Sequence, residues 1–210
     1  MQVINTPISP FVQNAPIAYC ETTNECIFVD PGDEIEKLIA VQVELNLTPQ
    51  YILITHGHID HAGAAKQLSD ELNLKIIGPH RDDESFLQSL EIQGRMYGLK
   101  AQNFLPDTWL EHGDTISFGN QNLEIKHCPG HAPGHIIGIN HEAKKIIAGD
   151  VLFNGSIGRT DLPGGNYNQL IKSINDHLML LDDDYDVHCG HGPDTTIGYE
   201  RETNPFLINA

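Results

Sequence analysis

Short apolar runs separated by turn-forming residues open the chain. Between Val3 and Asp30, Val, Ile, Tyr and Phe recur in brief stretches broken by Pro7, Pro10, Pro16 and Thr22-Thr23-Asn24-Glu25, which predicts a β-meander with turns at those points. Cys26-Ile27-Phe28-Val29-Asp30 followed by Pro31-Gly32 reads as a strand entering a loop. The period then changes. Ile35, Leu38 and Ile39 fall on one helical face, and Asp33-Glu34 place negative charge at the positive end of that helix. The unbroken run Tyr51-Ile52-Leu53-Ile54 closes this unit as a buried strand.

Helical spacing resumes at Ala62, Ala65, Leu68 and Leu72 and is expected to last to Asn73, with His61 at its start. Lys75-Ile76-Ile77 predicts a short strand, and residues 80–90 a helix. Periodicity fades over 91–110, which is expected to be a loop forming part of a lid or of the substrate wall. Residues 115–118, the Gly119-Asn120 turn and residues 123–127 read as a hairpin. Two further strands are expected at 136–139 and 144–148, one helix carrying Leu170, Ile171, Ile174, Leu178 and Leu181, and a last strand at 185–189. Strands and helices thus alternate in two comparable halves. The predicted fold is α/β, two sheets packed face to face with helices outside, a four-layer αββα sandwich.

Length and charge narrow the class. At 210 residues and 40% hydrophobic, the chain can bury a full core and is expected to form one domain over 1–210. Lys and Arg number 12 against 29 Asp and Glu, a formal charge of -17, with no basic block; that argues against nucleic acid and anionic membrane as partners. No stretch approaches the length of an apolar span, and the first residues lack the pattern of a signal peptide, so a cytoplasmic protein is expected. Cys20, Cys26, Cys128 and Cys189 have no zinc-finger spacing and are expected to be reduced thiols, with a Cys20–Cys26 bridge as the alternative in an oxidising setting.

The candidate chemistry is concentrated in Thr55-His56-Gly57-His58-Ile59-Asp60-His61, which offers three imidazoles and a carboxylate directly after a strand. That donor set suits zinc, iron or manganese. Three more candidates follow strand-like runs beside glycine: His131 in Cys128-Pro129-Gly130-His131, Asp150 in Ala148-Gly149-Asp150, and His191 in Cys189-Gly190-His191-Gly192-Pro193. Loops from one sheet edge converge on ligands in this way. Five His and two Asp suffice for two divalent ions sharing one carboxylate. His135 is expected to support the metal loop without coordinating. His80, His112, His127, His141, His177 and His188 lack any motif and read as ordinary surface or core residues, and Asp182-Asp183-Asp184 as a solvated helix end.

Together, T-H-G-H-I-D-H, P-G-H, G-D and G-H-G-P, in this order over residues 55–193, resemble the metallo-β-lactamase superfamily. The resemblance implies an αββα sandwich with a dinuclear centre: His56, His58 and His131 on the first metal, Asp60, His61 and His191 on the second, and Asp150 bridging. A Glu at 58 would have suggested a flavodiiron-type site, and a Cys at 150 a typical β-lactamase; His58 and Asp150 stand there instead. Gly155-Ser156-Ile157-Gly158-Arg159-Thr160-Asp161 and the segment from Gly190 to Phe206 look like the short, single-domain glyoxalase II-like (hydroxyacylglutathione hydrolase-like) proteins, without the family's C-terminal glutathione-binding helical domain.

The activity implied is hydrolysis of S-D-lactoylglutathione to D-lactate and glutathione, with two divalent metal ions per chain, zinc first and iron or manganese as alternatives. A water shared by the ions, its pKa lowered toward ~7, would attack as hydroxide. Asp60 and Asp150 are the expected catalytic carboxylates, Asp60 also orienting that water. Arg159 is a candidate for the substrate's carboxylate, against the plainer reading of a pair with Asp161. Asp161 is itself a candidate partner for a ligand histidine, against turn capping. The same motifs admit another small-ester or lactone hydrolase. From a different reaction class they admit a glutathione persulfide dioxygenase with one iron on His56, His131 and Asp150. A non-catalytic metal-binding relative is the third class.

Overall fold

The opening apolar runs pair as an antiparallel meander of β1 (Gln2–Ile8), β2 (Gln13–Tyr19) and β3 (Glu25–Val29). The chain crosses through α1 (Ile35–Glu44) to β4 (Thr48–Leu53), which joins β3 in parallel, and through α2 (Ile59–Ala62) and α3 (Ala65–Leu72) to β5 (Lys75–Ile77), parallel to β4. After α4 (Glu84–Leu87) and α5 (Leu90–Tyr97), a second sheet starts with β6 (Thr115–Phe118), β7 (Gln121–His127), β8 (Ile136–Asn140) and β9 (Lys145–Gly149), each antiparallel to the last. The small hairpin of β10 (Leu152–Phe153) and β11 (Ser156–Ile157) and then α6 (Tyr167–His177) lead to β12 (Asp186–Cys189), parallel to β9. β13 (Thr195–Thr196) and α7 (Ile197–Thr203) complete it. This computed structural model describes residues 1–208, so positions 209 and 210 of the expected domain lie outside the described residues.

The alternation of each strand sorts its side chains into layers. In β3, Cys26 and Phe28 pack with Ile35, Leu38 and Leu68 of the helices on one face. Its other side chains, Ile27 and Val29, meet Phe118, Leu123, Ile125 and Ile147 of the second sheet. Beyond that sheet, Ile137, Ile139, Ile146 and Ala148 pack under Leu170, Ile174 and Leu178. Three apolar interfaces make four layers, the expected αββα order. Among the described residues no helix is long and apolar enough to cross a membrane, and all four cysteines are buried free thiols, so the alternative Cys20–Cys26 bridge is not formed.

Several boundaries differ from the sequence expectation. The 91–110 segment opens with helix α5 rather than a loop. Its core-facing positions are Leu90 and Gly94, and a Cβ at Gly94 would lie 2.6 Å from the Leu99 carbonyl. Close backbone contact thus takes the place of an apolar side chain and erases the period. The helix expected from 62 to 73 is two, so His61 lies inside the short α2 rather than at the start of the longer α3. Over 80–90 a 3-10 turn at Arg81–Asp83 precedes α4. α6 stops at His177, although Leu178 and Leu181 still pack on the same core. The last strand begins at Asp186, and the two-residue strands and α7 are too short to leave a sequence period.

Topology gathers the ligand-bearing loops. β7, β9 and β12 all run in one direction, because β7 and β9 flank β8 antiparallel and β12 is parallel to β9. Their C-terminal ends, carrying His131, Asp150 and His191, share one edge. The end of β4 reaches that edge from the other sheet, where the Ile136 N–H donates to the Thr55 carbonyl at 2.9 Å. Replacing Ile27, fully buried between the sheets, by Ala is expected to cost about 2–5 kcal/mol. Urea unfolding of metal-free protein measures it, and a loss below about 0.5 kcal/mol, the range of surface changes, would contradict the inter-sheet core.

Candidate metal centre

The structure brings all seven expected His and Asp ligands together. His56 Nε2 lies 3.1 Å from His58 Nδ1, which lies 3.0 Å from His131 Nε2. Asp60 Oδ2 lies 3.1 Å from His191 Nε2 and 3.8 Å from His61 Nε2. The two trios therefore form separate groups of metal-binding spacing. Asp150 stands between them, with Oδ1 3.3 Å from His61 Nε2 and Oδ2 3.5 Å from His131 and 3.7 Å from His191. His56, His61, His131 and Asp150 are buried, whereas His58, Asp60 and His191 are partly open to a cavity of about 410 Å³.

Partners behind the rings fix which nitrogen faces inward. Thr55 Oγ1 donates to Asp30 Oδ2 at 2.6 Å and so accepts from His56 Nδ1 at 3.0 Å; His56 Nε2 is left as a lone pair. The other oxygen of Asp30 accepts from the Thr55 N–H, and its Oδ2 takes His61 Nδ1 at 2.9 Å. His131 Nδ1 donates to the Arg159 carbonyl at 2.8 Å. Inward-facing acceptor nitrogens held by distal hydrogen bonds are the usual preparation for a metal. Two further atoms, His61 Nε2 and Asp150 Oδ1, are buried without a hydrogen-bond partner. A cation between the trios would satisfy both, and so the donor set fits divalent metal. At Gly190 even a Cβ would run into Asp150 Oδ1, so the loop of His191 approaches the centre as bare backbone.

Burial and charge divide the trios electrostatically. Burial, reinforced by neighbouring imidazoles, depresses His56 strongly, takes His58 down to about 3, and lowers His131 against the pull of Asp150. These rings are neutral and ready to donate. Burial also opposes a charge on His61, but the carboxylates of Asp150 and Asp60 outweigh it and raise His61 well above the ordinary imidazole range. Conversely, burial disfavours the charged forms of Asp60 and Asp150, yet His61 above all keeps both ionised.

Two supporting residues carry no motif. Asp30 ends β3, in a position indistinguishable by sequence from a turn residue before Pro31-Gly32. Asp83, fully buried, accepts from the Gly57 N–H at 2.8 Å with one oxygen and from the Gly134 N–H at 2.6 Å with the other. It ties the loop of His56 and His58 to the loop of His131; burial pushes its carboxyl up to about 6 against those two bonds. Within Asp82-Asp83-Glu84 it reads as a solvated acid, and nothing in the sequence marks it. His135 does support the metal loop: its ring stacks on His56 at 4.6 Å, and its Nε2 accepts from the Asp150 N–H at 3.0 Å.

Arg159 reaches the cavity wall, and its guanidinium is bound by both oxygens of Asp161 at 2.8 Å each. Asp161 does not touch a ligand histidine. The contact expected of it is made by the backbone carbonyl of Arg159 instead. The 91–110 segment contributes to the wall through Gln93 and Tyr97. His80 and His127, expected to be ordinary, stack at 4.0 Å beside Asp82 on the surface, at metal-binding spacing but away from the cavity.

The model of the metallo-β-lactamase superfamily matches residues 13–191. The hydroxyacylglutathione hydrolase GloC of Haemophilus influenzae is 44% identical over 209 residues, covering 99% of this chain and 98% of that protein. Among solved structures, BLEG-1 B3 metallo-β-lactamase superposes with a TM-score of 0.90 at 34% identity, covering 98% and 99% of the two chains. TTHA1623, solved in a di-iron-bound form, superposes with a TM-score of 0.88 at 38% identity, covering 98% and 100%.

Two outcomes follow for metal uptake. In Asp83→Asn a carboxamide accepts only one of the two N–H groups; the first trio's affinity for divalent metal should fall about 10–100-fold while the circular dichroism spectrum is kept, as chelator competition would measure. His61 must lose its proton to bind metal, whereas His56 and His58 are already neutral. Affinity of the Asp60–His61–His191 trio should therefore rise with pH, by at most about tenfold per pH unit until His61 has lost its proton, with the other trio nearly unchanged. An identical pH dependence at both would contradict this division.

Proposed function

The chain belongs to the metallo-β-lactamase superfamily, and from that premise we propose that this metallohydrolase cleaves glutathione thioesters, S-D-lactoylglutathione first among them, to D-lactate and glutathione. The observation that carries the reading is Asp150 seated between a trio of three His and a trio of one Asp and two His, an arrangement suited to a dinuclear hydrolytic centre. The name and full-length similarity of the Haemophilus influenzae relative support the thioester. His56, His58 and His131 would hold one ion, Asp60, His61 and His191 the other, and Asp150 both. Zinc is the proposed metal. Iron is the alternative favoured by the di-iron form of a structural relative, and manganese suits the same donors.

Bound there, the ions would supply Lewis-acid polarisation of the carbonyl and a water acidic enough to ionise near neutral pH. The remaining roles fall to the chain. Asp60, whose Oδ2 lies 3.1 Å from His191 Nε2 and which is partly open to the cavity, orients the attacking water and accepts its proton. The water oxygen bonds to the thioester carbon, the C–S bond breaks, and the electron pair leaves on sulfur as a thiolate that takes up the proton. His131, fixed by the Arg159 carbonyl, and Asp150 hold the reacting face against the wall of Phe153 and Ile157. Arg159, the candidate for a substrate carboxylate, stands at the wall with its fork paired to Asp161, so it would meet such a group only where Asp161 gives way. The four free thiols support a reducing, cytoplasmic setting, and the fold supports a single domain.

Metal analysis coupled to S-lactoylglutathione hydrolysis tests the reading. Two ions per chain and turnover are expected. One iron per chain, with oxygen uptake on glutathione persulfide, would replace it by the dioxygenase. Asp60→Asn should lower kcat about 10²-fold or more, and His61→Ala should release one of two ions. Full turnover in Asp60→Asn with both ions kept would exclude the role given to Asp60.

A further inference from the structure

We infer that the site recognises the acyl-thioester end of its substrate and leaves the thiol end unspecified, so that a thioester of a small uncharged thiol serves about as well as one of glutathione. The inference rests on the thioesterase reading above and concerns which half of the substrate is read.

Glutathione presents two carboxylates and an ammonium. Proteins select such groups with fixed opposite charges, above all the bidentate fork of arginine. Among the described residues Arg159 is the one Lys or Arg that lines the cavity, and both of its carboxylate-facing nitrogens are already taken by Asp161. The acidic residues there, Asp60 and Asp150, belong to the ligand cluster and are not free for an ammonium. Gln93, the polar amide of the wall, is also committed: its oxygen accepts from the Ile59 N–H at 3.1 Å and its nitrogen donates to the Phe86 carbonyl at 3.0 Å. With a formal charge of -17, the protein does not steer an anionic thiol toward the site.

What the wall offers instead is apolar. Phe11, from the turn between β1 and β2, meets Tyr97 of α5 edge to face, with ring centroids 5.6 Å apart and planes at 80°. Both remain substantially exposed, at 40% and 53%, so the pair forms a rim rather than core. Phe153, Ile157 and Leu162 continue the lining. Apolar contact is non-directional. It holds the methylene and sulfur portion common to thioesters and discriminates weakly among thiols.

The experiment uses the metal-loaded full chain and compares kcat/KM for S-lactoylglutathione with that for S-lactoyl-N-acetylcysteamine, which carries the same acyl group on an uncharged thiol. The two values are expected to agree within about tenfold; a larger preference for glutathione overturns the inference. Asp161→Asn frees the Arg159 fork and should shift the ratio toward glutathione several-fold. An unmoved ratio would show that Arg159 already reaches the substrate past Asp161, and it too would overturn the inference. Hydrolysis of neither compound by fully loaded enzyme would instead sink the thioesterase reading itself, a result distinct from a strong preference.

Discussion

Three carboxylates converge on one buried ring, and the site depends on that convergence. His61 receives Asp30 on Nδ1 at 2.9 Å and faces Asp150 and Asp60 from Nε2 at 3.3 and 3.8 Å. The carboxylates of Asp150 and Asp60 raise the His61 imidazole against its burial, and His61 in turn favours their ionised forms. The same Asp30 carries Thr55 on both its oxygens, Thr55 orients His56, and the Thr55 carbonyl takes an N–H from the second sheet. One acid at the end of β3 thus connects a ligand of each trio to the seam between the sheets. Breaking it would disturb both trios through the orientation of their rings and not through a lost ligand.

The layered architecture serves this arrangement by supplying stiffness from both sides. Inter-sheet packing sets the distance between β4, which leads to the first four ligands, and β7, β9 and β12, which lead to the rest. Asp83 and Asp30 then lock the loop backbones locally. Loops 26 and 51 residues away are therefore held by Asp83 through hydrogen bonds to main chain, which tolerate little displacement.

Legibility from sequence followed the same division. His56, His58, Asp60, His61, His131, Asp150 and His191 were readable because they cluster, most of them beside glycine, at the ends of apolar runs, and because their order resembles that of a known family. The αββα layering was readable from strand and helix periods. Less visible were contacts made to or by main chain. The carbonyl of Arg159, not the side chain of Asp161, holds His131, and a carbonyl has no letter of its own. Asp83 looks like one acid among three, and only its depth distinguishes it. Helix α5 was hidden because Gly94 occupies a core-facing position where a periodic pattern requires an apolar side chain.

The loop of the last ligand is fastened by one of the first strands. Asn14 of β2 donates from its side chain to the carbonyls of Cys189 and Gly192, at 2.9 and 2.8 Å, and its N–H donates to the Gly190 carbonyl at 2.7 Å. A polypeptide emerging from the ribosome offers Asn14 these carbonyls only after some 175 further residues. In the growing chain the His56–His58–His131 trio is present in full well before His191 has been made. Completion of the second trio is therefore tied to completion of the fold, and a truncated product lacks both the ligand and the partner for its docking strand.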